Sequence, residues 1–329
     1  MILWKRAVVS RGAFAQYALK QEKEHKGWWP FSIQILRELE RDYTTEDDSL
    51  LERVYQSLAA GTNIFKITRR GRFSDFDTQL ESAVRSKFSQ TAELTIHDMG
   101  ASNAITSLEL YQRLSIDRPV RLVASDYFDH LTLVEVTHPQ WFPTTWTVAF
   151  DSLKAPIQTT GMNSTFGNRP YPLRYALSRL IQAWVKRNVV PLAQHLLDKN
   201  GPESHEQVSL FHPEAVQLAQ RDAQFQLTRH NVFIPNPVPS QIVRAMNVLT
   251  PKHFTPQQTS DAIHASTHNL AEDGWLILGR SIDEEDGRLR ATVYQWSRGQ
   301  LKPEWHYNEG YEWPDLVTQA SARQHDVSR

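Results

Sequence analysis

The sequence predicts an α/β protein built on an open, mostly parallel sheet, and three observations support this fold class. Residues 93–126 read as strand, loop, helix and strand, which is the unit of a parallel sheet. Two later apolar segments, SQIVRAMNVL and WLILGRS, read as buried strands on either side of a helix. Helical periodicity fills most of the chain before residue 90.

The N-terminal region is predicted to be helical. Apolar residues recur at helical spacing in SIQILRELERDY and in SLLERVYQSLAAG, and Gly61 marks a helix end. A further helix, DFDTQLESAVRSKFSQ, leads into the first strand of the sheet. We therefore expect residues 1–90 to form an N-terminal helical cover.

The sheet is predicted to lie within residues 91–317. Residues 131–200 interrupt it with two strand-like stretches that can pair as a hairpin and with a long helical stretch, so we interpret them as a helical and hairpin insertion over the site. The segments expected to resume the sheet, with their helices, are QVSLFHP, EAVQLAQRD, FQLTRHNVF, SQIVRAMNVL, TPQQTSDAIHASTHNLAEDG and WLILGRS. A terminal hairpin, RLRATVYQWSRGQLKPEWHYN, follows, and we expect residues 318–329 to be a C-terminal tail.

The composition excludes several classes of protein. The 329 residues carry a formal net charge of −1, and no basic stretch is long enough to follow a phosphate backbone, so we expect no nucleic-acid partner. Cysteine is absent, which excludes disulfides, thiolate metal sites and cysteine nucleophiles. The thirteen histidines are scattered, and we expect no metal site. No run reaches the length of a membrane span and no signal peptide is visible, so we expect a cytoplasmic protein without a membrane partner.

Polar residues follow the predicted strand ends, which is where open parallel sheets bind ligands. These residues are Asp98, Gly100, Ser102, Asp126, His230, Asn231 and Asn247. A glycine lets a ligand approach the backbone closely, and the helix after it offers unpaired N–H groups. The carboxylate of Asp126 can accept hydrogen bonds from two ribose hydroxyls. The pattern favours a nucleoside that carries an amino acid. The alternatives are that Asp98 and Asn247 cap the segments that follow them, that Asn231 is a turn residue, and that Asp126 is a strand-end acid in solvent.

The stretches IHDMGAS, VASDYF, RHNVF, IVRAMNVL and LAEDGWLILGRS, in this order, resemble class I S-adenosylmethionine-dependent methyltransferases, whose sheet is Rossmann-like. The block from RAMNVL to DGWLILG is most similar to chemotaxis-receptor-type methyltransferases and their small-molecule relatives. Some relatives cyclise S-adenosylmethionine to azetidine-2-carboxylate. The resemblance covers roughly residues 90–300, apart from the insertion.

This resemblance implies roles for individual residues. Asp98 and Gly100 would line the methionine part of the cofactor, Asp126 would hold the ribose, and Asn231 would contact the adenine amino group. We expect Ser102 to contact the cofactor carboxylate and add Asn247 to the cofactor-binding set. The chain departs from the family in two ways, because only one glycine remains in the loop and Asn231 stands where Asp is more common.

The expected function is methyl transfer from S-adenosylmethionine to a small molecule of specialised metabolism. One alternative is a cyclase or lyase that uses S-adenosylmethionine as its sole substrate and releases methylthioadenosine. Another is a non-catalytic binding protein of the same fold. No motif supplies an obvious catalytic base, and Tyr175 and His230 are the candidates. A homodimer is compatible with the sequence.

Overall fold

The computed structural model describes residues 8–10, 34–60, 64–66, 68–137, 145–159, 183–235, 238–282 and 288–322. In chain order, the elements are β1 (Val8–Ser10), α1 (Gln34–Asp42), α2 (Asp48–Ser57), β2 (Leu58–Ala60), β3 (Ile64–Phe65), α3 (Ser74–Lys87), β4 (Leu94–Met99), α4 (Ile105–Leu114), β5 (Val120–Asp126), β6 (His130–Thr137), β7 (Thr145–Phe150), β8 (Gln158–Thr159), α5 (Val190–Asn200), β9 (Glu206–Ser209), α6 (Pro213–Arg221), β10 (Phe225–Arg229), β11 (Ser240–Met246), α7 (Pro256–Thr267), β12 (Leu270–Ser281), β13 (Leu289–Ser297), β14 (Gln300–Tyr307) and α8 (Pro314–Ala322). Short 3₁₀ helices lie at Thr45–Asp47 and Pro202–Ser204, and residues 183–188 are also helical.

The chain divides into two compact units, and each is made of two separate segments. The small-sheet unit comprises Met1–Ile67 and Phe128–Pro213, and the large-sheet unit comprises Thr68–Tyr127 and Glu214–Arg329. These bounds differ from the expected domains at 1–90 and 91–317. No described helix has both the length and the apolar character that crossing a membrane requires.

The large-sheet unit contains a seven-stranded sheet with the order β10-β5-β4-β11-β12-β13-β14. The first five strands are parallel, and β13 and β14 continue the sheet as antiparallel neighbours. The chain runs from β4 through α4 to β5 in one direction along the sheet, and from β11 through α7 to β12 in the other. The predicted α/β, Rossmann-like fold class is therefore confirmed. The strand order reverses between β4 and β11, and this place is called the reversal point below.

Helix α3 belongs to the large-sheet unit rather than to an N-terminal cover. Its buried residues Phe76, Leu80 and Val84 recur every four positions, so they form one apolar face. The Phe76 ring packs within this unit on Trp305 and Tyr307 of β14, at centroid distances of 5.7 and 5.4 Å. The periodicity predicted the helix correctly, but it carries no information on the surface against which the helix packs.

The small-sheet unit contains an antiparallel sheet with the order β1-β7-β6-β9 and a three-stranded sheet with the order β3-β2-β8. The predicted hairpin is present as β6 and β7. Two expectations are wrong. The N-terminal region is not wholly helical, because β1 pairs with β7, and the QVSLFHP strand does not resume the large sheet, because β9 pairs with β6. Both differences arise from long-range pairing of strand edges, which local sequence patterns do not encode.

The C-terminal segment is ordered further than expected, because α8 continues to Ala322. Val317 and Ala320 are fully buried and join the apolar core formed by α7, β11 and β12. The expected tail from residue 318 is therefore wrong for its first five residues. Their helix was too short to show a clear apolar period in the sequence.

Replacing Val317 with Ala should lower the free energy of unfolding by about 2 kcal/mol, because two buried methyl groups are lost from a packed core. Urea unfolding followed by circular dichroism measures the change. Gln319→Ala, an exposed position of the same helix, is the matched control and should change stability by less than about 0.5 kcal/mol. An equal loss of unfolding free energy in the two variants would contradict the placement of α8 in the core.

Candidate functional site

The loop after β4 has an unusual backbone at the point where the strand order reverses. Gly100, Ser102 and Ala104 all have positive φ, at 65°, 59° and 61°. Alanine and serine rarely adopt this conformation, so the loop holds strain that its surroundings must offset. Positive φ at every second residue occurs in loops whose backbone N–H groups converge. This loop leads directly into α4.

Gly100 is required here for a steric reason as well. A Cβ atom at this position would lie 2.7 Å from the Cβ of Val248, which follows β11. The two loops that flank the reversal point are therefore in direct contact. The sequence-based explanation for Gly100 was close approach of a ligand, whereas the structure shows close approach of Val248.

Asp126 ends β5 and faces the loop after β4. Its Oδ2 accepts a hydrogen bond from the Ser102 backbone N–H at 2.8 Å, and its side chain is half-buried. Its backbone oxygen accepts a bond from the His230 N–H at 3.2 Å. The structure thus brings Gly100, Ser102, Asp126 and His230 together at one edge of the sheet, as the strand-end argument predicted.

Asp98 has a different environment from the predicted one. It is 2% exposed, and its two carboxylate oxygens accept bonds from Nε and Nη2 of Arg244 at 3.0 and 2.6 Å. The Ser107 hydroxyl of α4 also donates to Asp98 at 2.5 Å. Because both oxygens are already engaged in a buried ion pair, the geometry favours a structural role for Asp98 over the predicted direct contact with the cofactor.

Arg244 and Asp77 complete this buried group, and neither is among the predicted site residues. Arg244 is 0% exposed, and its Nη1 lies 3.2 Å from Oδ1 of Asp77 on α3. Burial raises the pKa of Asp77 to about 6, with Arg244 opposing this shift and Asp98 adding to it. An arginine inside an apolar strand was the available signal, since a buried guanidinium requires acidic partners.

The side chains of both asparagines bond to backbone N–H groups, Asn231 within a local turn and Asn247 between the ends of β11 and β12. Asn247 has a φ of 61°, a conformation that asparagine tolerates, and its Oδ1 accepts a bond from the Ser281 N–H at 2.6 Å. Oδ1 of Asn231 accepts a bond from the Phe233 N–H at 3.1 Å, which closes a local turn. These contacts explain both residues without a ligand, so their predicted cofactor contacts find no support in this geometry.

A pair of buried histidines lies next to Asp126. His97 of β4 is fully buried, and its Nε2 is 2.8 Å from the Ser125 hydroxyl. The His230 ring packs edge-on against His97 at a centroid distance of 5.2 Å. Burial lowers the pKa of His230, so the imidazole is neutral at pH 7. Tyr175, the other predicted catalytic residue, lies outside the described residues. Within the described ranges, no group of three or more side chains is arranged to hold a metal ion.

No family model matches the sequence, and no curated protein matches it either. Similar solved structures include an amino pentose methyltransferase of calicheamicin biosynthesis from Micromonospora echinaspora, bound to S-adenosylmethionine. Its sequence identity to this chain is 12%, and the match covers 68% of this chain and 63% of that chain with a TM-score of 0.30. The N-methyltransferase NodS from Bradyrhizobium japonicum, in complex with S-adenosylhomocysteine, is 13% identical, with 70% and 71% covered and a TM-score of 0.31.

A third structure, DesVI from Streptomyces venezuelae, is 8% identical, with 71% of this chain and 69% of that chain covered and a TM-score of 0.31. The chain spans less than two thirds of the length of the calicheamicin enzyme. The fold class rests on the strand order of the chain itself.

Gly100→Ala should destabilise the protein by at least about 3 kcal/mol, because the strained backbone and the overlap with Val248 both add to the cost. Gly71→Ala is the matched control, since Gly71 also has a positive φ but a Cβ there would meet no atom within 4 Å. We expect it to cost only about 1–2 kcal/mol. Denaturant unfolding measures the free energy of unfolding of both variants. Equal losses of this free energy would show that the contact with Val248 adds nothing to the cost.

Asp77 should make folding stability depend on pH between about 4 and 6. Its ordinary pKa is 3.8 and burial raises it to about 6, so in this interval the folded protein keeps a proton that the unfolded chain has lost. The contribution is fully present below the ordinary pKa and is lost as the pH rises through about 6. Asp77→Asn should remove this dependence from the free energy of unfolding.

Asp75→Asn, at an exposed position of the same helix, is the control for this experiment. Urea unfolding at a series of pH values between 4 and 7 gives the free energy of unfolding for each protein. The assignment fails if Asp77→Asn and the wild type have the same slope against pH.

Proposed function

We propose that this chain is an S-adenosylmethionine-dependent methyltransferase that acts on a small molecule. The observation that carries the proposal is the position of Asp126. Its half-buried carboxylate stands at the end of the strand next to the reversal point and contacts the loop that begins α4. An open α/β sheet binds nucleotide-like ligands at this point.

The residues present fit this cofactor. A carboxylate such as that of Asp126 can accept hydrogen bonds from both hydroxyls of a ribose. The loop from Gly100 to Ala104 leads into the N-terminus of α4, where helix N–H groups favour a ligand carboxylate. Asp98 and Arg244 hold the two strands beneath this loop and make no contact with the ligand in this proposal.

Bound S-adenosylmethionine supplies an activated methyl group on a sulfonium that is already a leaving group. The chain itself needs only to align the acceptor with this methyl group and to exclude water, so positioning accounts for most of the expected rate gain. As part of the same proposal, we place the acceptor among small molecules of specialised metabolism and the protein in the cytoplasm. The near-neutral net charge and the interleaved charges support a small acceptor over a nucleic acid.

Asp126→Ala should weaken binding of S-adenosylmethionine at least about tenfold, because a charged hydrogen-bond acceptor contributes about 1.5–3 kcal/mol. Isothermal titration calorimetry measures the affinity, and a thermal melt checks that the variant is folded. Asp117→Ala, a half-exposed acid before the opposite end of β5, is the control and should bind like the wild type. Unchanged affinity in Asp126→Ala would remove the basis of the site assignment.

The reaction itself can be tested by mass spectrometry of the protein with S-adenosylmethionine and no acceptor. Methyl transfer predicts that the bound compound stays intact. Rapid release of methylthioadenosine with a cyclised amino acid would instead show that S-adenosylmethionine is the sole substrate. That outcome would contradict methyl transfer but not the binding site.

A further inference from the structure

Two arginines lie directly opposite each other where β12 ends and β13 begins. Arg280 and Arg290 are cross-strand partners in the antiparallel register of these strands, so their side chains lie on the same side of the sheet. Like charges in this arrangement repel each other and destabilise a sheet. An arginine pair at this position therefore requires compensating negative charge.

Glu312 compensates one of these two charges. Its Oε1 and Oε2 accept hydrogen bonds from Nη1 of Arg280 at 3.1 and 2.9 Å, and its Oε2 also accepts one from Nη2 of Arg290. The side chains of Arg280, Arg290 and Glu312 are partly buried, with exposed fractions of 26%, 21% and 12%. Within the part of the chain that the structure describes, no second acid lies within ion-pair distance of either arginine. One positive charge of this group is therefore left over.

The arginine pair also has hydrogen-bond donors to spare. A guanidinium presents five N–H donors in a planar fork that matches the two oxygens of a carboxylate. Glu312 engages one nitrogen of each arginine. The Nε of Arg290 is buried and has no hydrogen-bond partner among the described residues. The pair already binds one carboxylate, that of Glu312, and a second carboxylate fits both the remaining charge and the remaining donors.

The arginine pair lies at the same edge of the sheet as the candidate cofactor site. The N–H of Asn247 bonds to the backbone oxygen of Gly279 at 2.8 Å, and its Oδ1 accepts a bond from the N–H of Ser281 at 2.6 Å. Arg280 is therefore level with the first residue after β11, one of the two strands that border the reversal point. Because neighbouring strands are about 4.8 Å apart, the backbones of β12 and β13 lie about 7 and 12 Å from this point. A small molecule can span these distances.

We propose that Arg280 and Arg290 together bind a carboxylate of the methyl acceptor, and that the acceptor is therefore a small carboxylic acid. This inference rests on the proposed function and adds to it the chemical class of the substrate. The carboxylate is bound at β12 and β13, and a different part of the acceptor receives the methyl group at the reversal point. The single positive charge that is left over favours a monoanionic carboxylate over a doubly charged phosphate group. The two arginines position the acceptor and take no part in proton transfer.

The test uses acetate as the probe and acetamide as its neutral isostere, at constant ionic strength. Saturation-transfer difference NMR of their methyl signals measures both affinities. Acetate should bind the wild type at least about tenfold more tightly than acetamide, because hydrogen bonds to a charged group are the stronger ones. Arg290→Gln should weaken acetate binding at least about tenfold, since Glu312 then neutralises the arginine that remains.

Glu312→Gln separates anion binding from a purely structural ion pair. This variant loses the carboxylate that competes for the two guanidinium groups, so it should bind acetate at least about threefold more tightly than the wild type. Arg298→Gln, at the exposed turn at the other end of β13, is the matched control and should bind acetate like the wild type. A thermal melt checks that each variant is folded, and Arg280→Gln takes the place of Arg290→Gln if the latter does not fold.

A second titration uses the protein saturated with S-adenosyl-L-homocysteine. Acetate should bind this complex within about threefold of its affinity for the free protein, because the cofactor and the acceptor occupy different places. Displacement of acetate by S-adenosyl-L-homocysteine would assign the arginine pair to the cofactor and overturn the inference.

The outcomes separate the two proposals. A wild type that does not bind acetate, or that binds it no better than Arg290→Gln does, overturns this inference and leaves the proposed function intact if Asp126→Ala still loses S-adenosylmethionine. A wild type that does not bind S-adenosyl-L-homocysteine overturns the proposed function. The assignment of the bound carboxylate to a methyl acceptor then fails with it, even where acetate binds.

Discussion

The buried ion pair between Arg244 and Asp98 joins the two strands between which the sheet reverses its order. The two residues are direct cross-strand partners in the register of β11 and β4, and Asp77 of α3 contacts the same guanidinium. Burying three charged groups is costly, and such groups often add little net stability compared with apolar residues. We infer that these charges favour one register of β4 and β11, because a shift in register would separate the guanidinium from Asp98.

The candidate site depends on that register. With β4 and β11 fixed side by side, the loops that follow them meet at Gly100 and Val248. The loop after β4 then keeps three residues at positive φ, and Ser102 can donate its N–H to Asp126. Strain in the loop is therefore offset by contacts from β5 and β11, which are the strands on either side of β4.

Much of the large sheet could be predicted from the sequence, because its strands are apolar runs that alternate with helices. The segments that became β4, α4, β5, β11, α7 and β12 were all identified in the right order. Prediction failed for β1 and for the sheet to which the correctly predicted strand β9 belongs. Their partners lie far away in the chain, and a short strand carries no mark of its partner. For the same reason, the sequence predicted helix α3 but not the strand against which it packs.

The site was predictable in location but less so in detail. Polar residues at strand ends did gather at one edge, yet a polar residue there can serve a ligand, a turn or a neighbouring charge. Asn231 closes a turn, Asn247 bonds to the backbone at the end of β12, and Asp98 neutralises Arg244. Asp126, by contrast, faces the loop after β4. Sequence alone does not separate these roles, because each depends on which backbone or side chain lies opposite.

The interleaving of the two units has a consequence for synthesis of the chain. Each unit is built from two segments, so the small-sheet unit cannot be completed before Pro213 is made, and the large sheet still lacks most of its strands at that time. The strands β4 and β5 must wait for β11 and β10, and until then the edges that pair with those two strands stay unpaired. For the same reason, no single continuous fragment contains either unit alone, and a cut within residues 128–213 divides the small-sheet unit while the large-sheet segments stay whole.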